Sequence, residues 1–239
     1  MKSFLTADWR YLAMMNFVVE PKILEPLVPP GTELDFYNRQ TFLSIVGFLF
    51  LDTRLLGLPI PFYRDFEEVN LRFYVRRKVA GEWRRGVAFV RELVPRQAIA
   101  IVARAFYGEP SAALPMRHDI VHRDGQLQVK YEWRRRKKWE RIAVESTGEP
   151  QATPAGSREE FITERYWGYT ALPSRMSEYR VEHPRWKLWP ATSASFDADV
   201  AALYGAQFVE TLAAAPASAF IAEGSHVEVR RRASEFASE

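Results

Sequence analysis

The sequence predicts an α+β domain organised around a large antiparallel sheet or open barrel, with few and short helices. Three observations carry that expectation. Long runs alternate apolar and polar residues: in FEEVNLRFYV, Val69, Leu71, Phe73 and Val75 fall on one side, and Glu68, Asn70, Arg72 and Tyr74 on the other. Short turn signals join such runs, Asp124-Gly125 being the strongest. Helical patterning is confined to brief stretches.

Taken in order, residues 7–20 alternate loosely and suit a first strand, with a helix as the rival. Pro21 opens a short helix, PKILEPLVP, whose apolar stripe is Ile23, Leu24, Leu27 and Val28; Pro29-Pro30-Gly31 stops it. TFLSIVGFLFLDTR is dense in β-branched and aromatic residues and suits a buried strand. The following LLGLPIPFY is apolar for a loop, so it is expected to pack inward or to cover something. Two alternating runs, DFEEVNLRFYVRRK and RRGVAFVRELVP, flank the turn AGEW, and RQAIAIVARAFYGEP reads as helical. Next come two strands around Asp124-Gly125 and a further hairpin with RRRKK at its tip, returning through WERIAVES. Thr147 to Gly156 reads as a loop. Ser157 and Glu160 have capping-box spacing, so SREEFITERYW begins as a helix. EYRVEHPRWKLW is extended up to Pro184, FDADVAALYGAQFVETLA carries a short helix near its end, and ASAFIAEGSHVEVRRR supplies one or two closing strands. No internal repeat is found.

Composition narrows the function. With 47% hydrophobic and 14% aromatic residues among 239, there is ample material for a packed core. Thirty-three Lys plus Arg against thirty Asp plus Glu leave a net charge of +3, too small an excess to imply nucleic acid. The absence of cysteine excludes disulfides, thiolate nucleophiles and Cys-based zinc sites, and fits a reducing cytoplasm. Asp8, Arg10 and Asn16 interrupt any signal-peptide core near the N-terminus. The most apolar stretch, IVGFLFLDTRLLGLPIPF, is divided by Asp52 and Arg54, so no membrane span is expected and the chain reads as cytoplasmic.

Candidate site residues follow from the alternation. Glu68, Asn70 and Arg72 share one strand face, with neighbours about 7 Å apart. If that face lines a cavity, a carboxylate, an amide and a guanidinium suit a small polar ligand, with Arg72 as the anion partner. The alternative is that the face lies in water while the apolar face builds the core. Arg104, Tyr107 and Ser111 follow the central strands: Arg104 is a second anion partner and Tyr107 a hydroxyl, or else an ion pair and a core ring. His118 and His122 are separated by Asp-Ile-Val, not by a zincin pattern, so no metal site is expected. His183 before Pro184 reads as a packed turn histidine, and no nucleophile elbow or phosphate loop is present. RRRKK between Trp133 and Trp139 is read as a solvated hairpin tip rather than a nucleic-acid strip. No cofactor is expected.

The order of LVPPGTELD, SIVGFLFLDTR, FEEVNLRFYV, GVAFVRELVP, ARAFYGEP, ERYWGYT, VEHPRW, YGAQF and EGSHVEV resembles the uncharacterised YqjF-like bacterial family, a remote member of the acetoacetate decarboxylase-like superfamily. The resemblance spans nearly the whole chain and implies one domain over residues 1–239, a curved antiparallel sheet closing into a cone or barrel around a cavity. Acetoacetate decarboxylase works through a Schiff-base lysine that follows a Gly-x-Pro element. Here Gly108-Glu109-Pro110 is similar to that element but is followed by Ser111 and Ala112, and no lysine lies between Lys78 and Lys130. The same resemblance matches Arg10 and Glu68 to the decarboxylase's cavity arginine and glutamate.

Three readings follow. The first is an enzyme or degenerate enzyme for a small organic acid or carbonyl compound, with Glu68 as acid or base and Arg72 or Arg104 on the anion. The second is a binder of the same ligands without turnover. The third is a structural or homo-oligomeric protein with a filled interior, in which the apolar loop at 55–62 forms the contact. The ligand-cavity reading is preferred, with catalysis left open.

Overall fold

The computed structural model describes residues 3–59, 64–96, 110–172 and 175–232. Long strands dominate it. β1 (Leu5–Val19), β3 (Thr41–Leu55), β5 (Phe66–Val79) and β6 (Glu82–Val94) follow one another as antiparallel neighbours. α1 (Pro21–Leu24), which runs on into a 3-10 turn, and the two-residue β2 (Glu33–Leu34) lie between β1 and β3. Beyond them, β12 (Trp167–Leu172) pairs parallel with β6 and antiparallel with β13 (Arg175–Glu182). β15 (Ser218–Arg232) then pairs with β13 on one side and with β1 on the other, from Leu5 opposite Val229 to Asn16 opposite Ser218. The path β1-β3-β5-β6-β12-β13-β15 therefore returns on itself as a ring of strands.

From β15 the pairing continues through β14 (Lys187–Asp197), β10 (Lys138–Thr147), β9 (Gln126–Arg135) and β8 (Met116–Arg123), an outer sheet lying across one face of the ring. Leu127, Val129, Tyr131, Trp133, Ile142 and Val144 of this sheet pack against Ala13, Met15, Leu43, Ile45, Val69 and Leu71 of the ring. Gly47 admits the Tyr131 ring: a Cβ there would lie 2.6 Å from Tyr131 Cδ2. The opposite faces of the ring strands form a second apolar cluster that includes Leu12, Met14, Phe42, Val46, Phe48, Phe50, Tyr74, Val181, Trp186 and Val227. Facing away from the outer sheet and contributed from around the ring, it is the ring's interior.

Most elements fall where the pattern puts them. Residues 7–20 resolve in favour of a strand, because β1 is hydrogen-bonded on both sides, to β3 and β15. A register shift near Tyr11, whose φ is 53°, bends that strand, and Gly224 opposite (φ 77°) accommodates the bend. A Cβ on Gly224 would lie 2.0 Å from the Trp9 carbonyl oxygen. Ser157 caps α2 (Arg158–Thr163): its Oγ accepts from the Glu160 N–H at 3.1 Å, while the Glu160 carboxylate accepts from the Gly156 N–H. The late helix is two short pieces, α3 (Val200–Leu203) and α4 (Val209–Ala213), around a 3-10 turn.

One expectation is corrected. The apolar segment after Arg54 turns at Leu56-Gly57 into β4 (Leu58–Pro59), which folds back on β3. Leu56 and Leu58 are 68% and 72% exposed, so they neither pack inward nor cover a core. Residues 60–63 of that segment, and all but the ends of the run expected to be helical at 96–110, lie outside the described residues.

Candidate functional site

β5 places Glu68, Asn70, Arg72 and Tyr74 on the inward face of the ring, because Val69, Leu71, Phe73 and Val75 are taken up by the cluster beneath the outer sheet. All three polar residues of the row are buried: Glu68 at 9%, Asn70 at 1% and Arg72 at 8% exposure. The Asn70 amide Nδ2 donates to Glu68 Oε1 at 2.9 Å. Directly across on β6, opposite Asn70, stands the buried Glu92. The short β7 (Ser111–Ala113) runs parallel to the end of β6 and brings Ser111 opposite Glu92, where its hydroxyl donates to Glu92 Oε2 at 3.0 Å. Asn70 Oδ1 and Arg72 Nε are buried without a hydrogen-bond partner.

Beyond Arg72 the row ends in a closed polar chain. The Tyr74 hydroxyl meets Ser44 Oγ at 2.6 Å, Ser44 Oγ donates to Asn16 Oδ1, and Asn16 Nδ2 donates to Ser218 Oγ. Toward the other end the lining is aromatic. Trp9 sits edge-on to Phe48 and Phe50, with centroids 5.1 and 5.6 Å away, and Phe50 stacks on Phe66. Trp186 lies 6.3 Å from Trp9, and His183 is sandwiched between Trp186 at 4.1 Å and Tyr166 at 4.8 Å. Burial lowers the His183 pKa, the Pro184 carbonyl and Glu164 oppose that fall, and the charge on Arg72 adds a smaller lowering. Beside Tyr166 a cleft of about 540 Å³ opens to the surface, lined also by Tyr37, Arg85, Phe161, Arg165 and Arg185.

The structure thus brings together Glu68, Asn70, Arg72 and Ser111. It does not bring Arg10 to them. The alternation of β1 turns Trp9 inward and Arg10 to the opposite face, where its Nη1 donates to the Gly224 carbonyl and it stands 3.7 Å from Asp8. Arg104 and Tyr107 lie outside the described residues. Sequence reasoning passed over Glu92 and treated His183 as a turn residue. Glu92 carried no usable signal: counted by twos it falls with Ala88 and Val90, which pack beneath the outer sheet, and only the register shift between Phe89 and Arg91 turns it toward Asn70.

The remaining motifs resolve into local contacts. His118 pairs with Glu67 at 2.7 Å, and no cluster of three or more metal-ligating side chains occurs among the described residues. At the RRRKK tip Arg135 bonds Glu140 and Asp199, and Lys138 bonds Asp197. Trp133 is fully buried with its Nε1 donating to Glu140 Oε2, so it is a core ring and not a surface platform. Every lysine among the described residues is exposed or half-buried. No described helix is long and apolar enough to cross a membrane.

Chemically, the interior offers two carboxylates on either side of an amide, an arginine N–H without an acceptor and a hydroxyl. That set can hold an anion and move protons.

Comparison with known proteins agrees with the architecture. The model of the family DUF2071, described as an uncharacterized conserved protein, matches residues 6–226. The uncharacterized protein YqjF of Bacillus subtilis (strain 168) is 28% identical over 184 residues, covering 75% of this chain and 73% of its own. Among solved structures, acetoacetate decarboxylase from Legionella pneumophila superposes with a TM-score of 0.64 at 12% identity, over 96% of this chain and 87% of its own. An acetoacetate decarboxylase-like enzyme from Sphingomonas wittichii RW1 gives 0.61 at 15% identity, over 98% and 95%. The enduracididine biosynthesis enzyme MppR, complexed with pyruvate, gives 0.65 at 13% identity, over 97% and 91%. At these identities the likeness is one of fold.

Proposed function

The chain belongs to the DUF2071 family of uncharacterized conserved proteins, and from that premise we propose that the interior of its ring binds a small organic acid or carbonyl compound. The observation that carries this reading is the buried row Glu68–Asn70–Arg72, with Asn70 Oδ1 and Arg72 Nε unpartnered beside an apolar and aromatic lining. Each buried polar atom left unpaired costs about 1–3 kcal/mol. A ligand that pairs with them recovers that cost. MppR, a protein of the same fold, has been crystallised with pyruvate, a small keto acid, which supports a ligand of this size and charge. Arg72 holds the anionic group and Ser111 and Glu92 close the neighbouring wall.

Schiff-base chemistry does not belong to this reading. The described lysines all lie at the surface or half-buried, and the residue after Gly108-Glu109-Pro110 is Ser111. In the catalytic form of the proposal Glu68 moves a proton on the bound compound; in the binding form no product appears. A thermal-shift screen of small carboxylates and ketones tests binding, with Arg72→Met expected to abolish every shift. Glu68→Gln then separates the two forms: it is expected to stop turnover while sparing binding, and unchanged turnover would remove Glu68 from the role.

The exposed Leu56 and Leu58 favour a second reading, in which this turn is a contact between copies of the chain. Concentration-dependent dissociation that Leu56→Asp abolishes would support it, and a strict monomer would count against it.

A further inference from the structure

We infer that the ligand of the interior is a small hydroxy acid, one with a hydroxyl close to its carboxylate, and not the corresponding keto acid; this rests on the interior-site reading above. The argument starts from the orientation of one amide. Asn70 Nδ2 donates to Glu68 Oε1 at 2.9 Å, which sets the amide NH₂ toward Glu68. Asn70 Oδ1 is therefore turned away from Glu68, and it is buried with no donor to satisfy it. The next inward residue of the same strand, Arg72, presents the converse: a buried Nε–H with no acceptor. Along one strand face, about 7 Å apart at the backbone, stand an acceptor in want of a donor and a donor in want of an acceptor.

A keto acid or a plain carboxylate consists of acceptors alone. It satisfies Arg72 but sets a second acceptor against Asn70 Oδ1, which remains unpaired. A hydroxy acid satisfies both, its carboxylate taking the Arg72 N–H while its hydroxyl donates to Asn70 Oδ1. An ammonium in place of the hydroxyl also donates, and Glu68 and Glu92 stand near enough to attract its charge, so the amino acid is a competing ligand that the test must include. The Ser111 hydroxyl leaves the requirement unchanged, because it is engaged with Glu92.

The test uses the full chain and three probes on one carbon skeleton: lactate (each enantiomer), pyruvate and alanine, titrated by calorimetry. A second matched pair, 3-hydroxybutyrate and acetoacetate, extends the comparison by one carbon. The expected result is hydroxy-acid binding about tenfold tighter than the matched keto acid, the order of magnitude set by leaving one buried acceptor unpaired. In Asn70→Leu, checked for folding by circular dichroism, the ratio between the two is expected to fall to about one. The wild-type comparison decides the matter even if that variant does not fold. Equal or tighter binding of the keto acids overturns the hydroxyl inference and leaves the interior-site reading standing, and tightest binding of alanine also overturns it. Binding of none of the probes overturns both.

Discussion

Asp35 and Arg165 form an ion pair whose rupture has a calculable cost. Asp35 lies just after β2 and its side chain is fully buried; the Arg165 side chain is 3% exposed at the exit of α2. Arg165 Nη1 donates to Asp35 Oδ2 at 2.5 Å, its Nε donates to the Phe161 carbonyl, and its guanidinium lies over the rings of Phe161 and Tyr74 at 3.9 and 5.0 Å. Burial pulls the Arg165 pKa down to about 10, and the charge of Asp35 opposes that fall. At neutral pH the guanidinium is therefore still charged, and removing Asp35 strands it. Asp35→Ala is expected to cost about 3–5 kcal/mol, the range for breaking one partner out of a buried pair. Arg85, 3.7 Å from Asp35 but half-exposed, softens this little. Urea unfolding followed by tryptophan fluorescence reads the loss directly. The double variant Asp35→Leu with Arg165→Met is expected to recover most of it, since an apolar replacement leaves no charge to strand. A single-variant loss under about 1 kcal/mol, or a double variant as unstable as the single, would refute the reasoning.

Three further outcomes are expected. Gly86→Ala places a Cβ 2.4 Å from the Trp167 carbonyl oxygen, at the one parallel junction that closes the ring, and is expected to lower stability by about 1–3 kcal/mol in the same assay. The hydrogen bond between His118 and Glu67 raises the His118 pKa, and the pair lowers that of Glu67 despite its partial burial. The His contribution is full below its unfolded pKa and fades as pH rises through the raised value; the Glu contribution is full above its unfolded pKa and fades on acidification. His118→Ala should therefore cost most between about pH 5 and 6 and least near about pH 8, read from urea midpoints across pH. His183 is held below its ordinary value by burial and then by Arg72, so its NMR titration midpoint should fall under about 6.5, and Arg72→Met should raise it. A midpoint that ignores Arg72 would separate the imidazole from the interior row.

Much of the architecture was legible because it is written in local pattern. The period of two in β5, the Asp124-Gly125 turn between β8 and β9 and the Ser157 cap of α2 all act within a few residues. What the interior row faces was not legible. Alternation sorts Glu68, Asn70 and Arg72 from Val69, Leu71 and Phe73, yet it is silent on whether the polar side meets water. That depends on β15 reaching β1 and on β12 reaching β6, pairings with no counterpart in neighbouring sequence. Arg10 shows the same limit from the other direction. A single irregular residue, Tyr11, resets the alternation of β1, so the face of Arg10 followed from the bend and not from the count. Leu56 and Leu58 are exposed despite their apolar character, because composition alone does not tell a covered side chain from one at the tip of a turn.

The pairing of the first strand with the last has a consequence for synthesis of the chain. β1 is synthesised before the other described strands, but the edge that meets β15 finds its partner only when residues near Val229 have followed. At about 5–20 residues per second, that edge waits on the order of ten seconds or more with a row of unpaired backbone groups exposed. β3 can shield the other edge early, since it follows closely in sequence. Nascent chains truncated before β15 should therefore hold a partly formed sheet that is prone to pair with neighbouring chains. A circular permutant that begins at the Leu56-Gly57 turn and places β15 directly before β1 would turn a contact across most of the sequence into a local one.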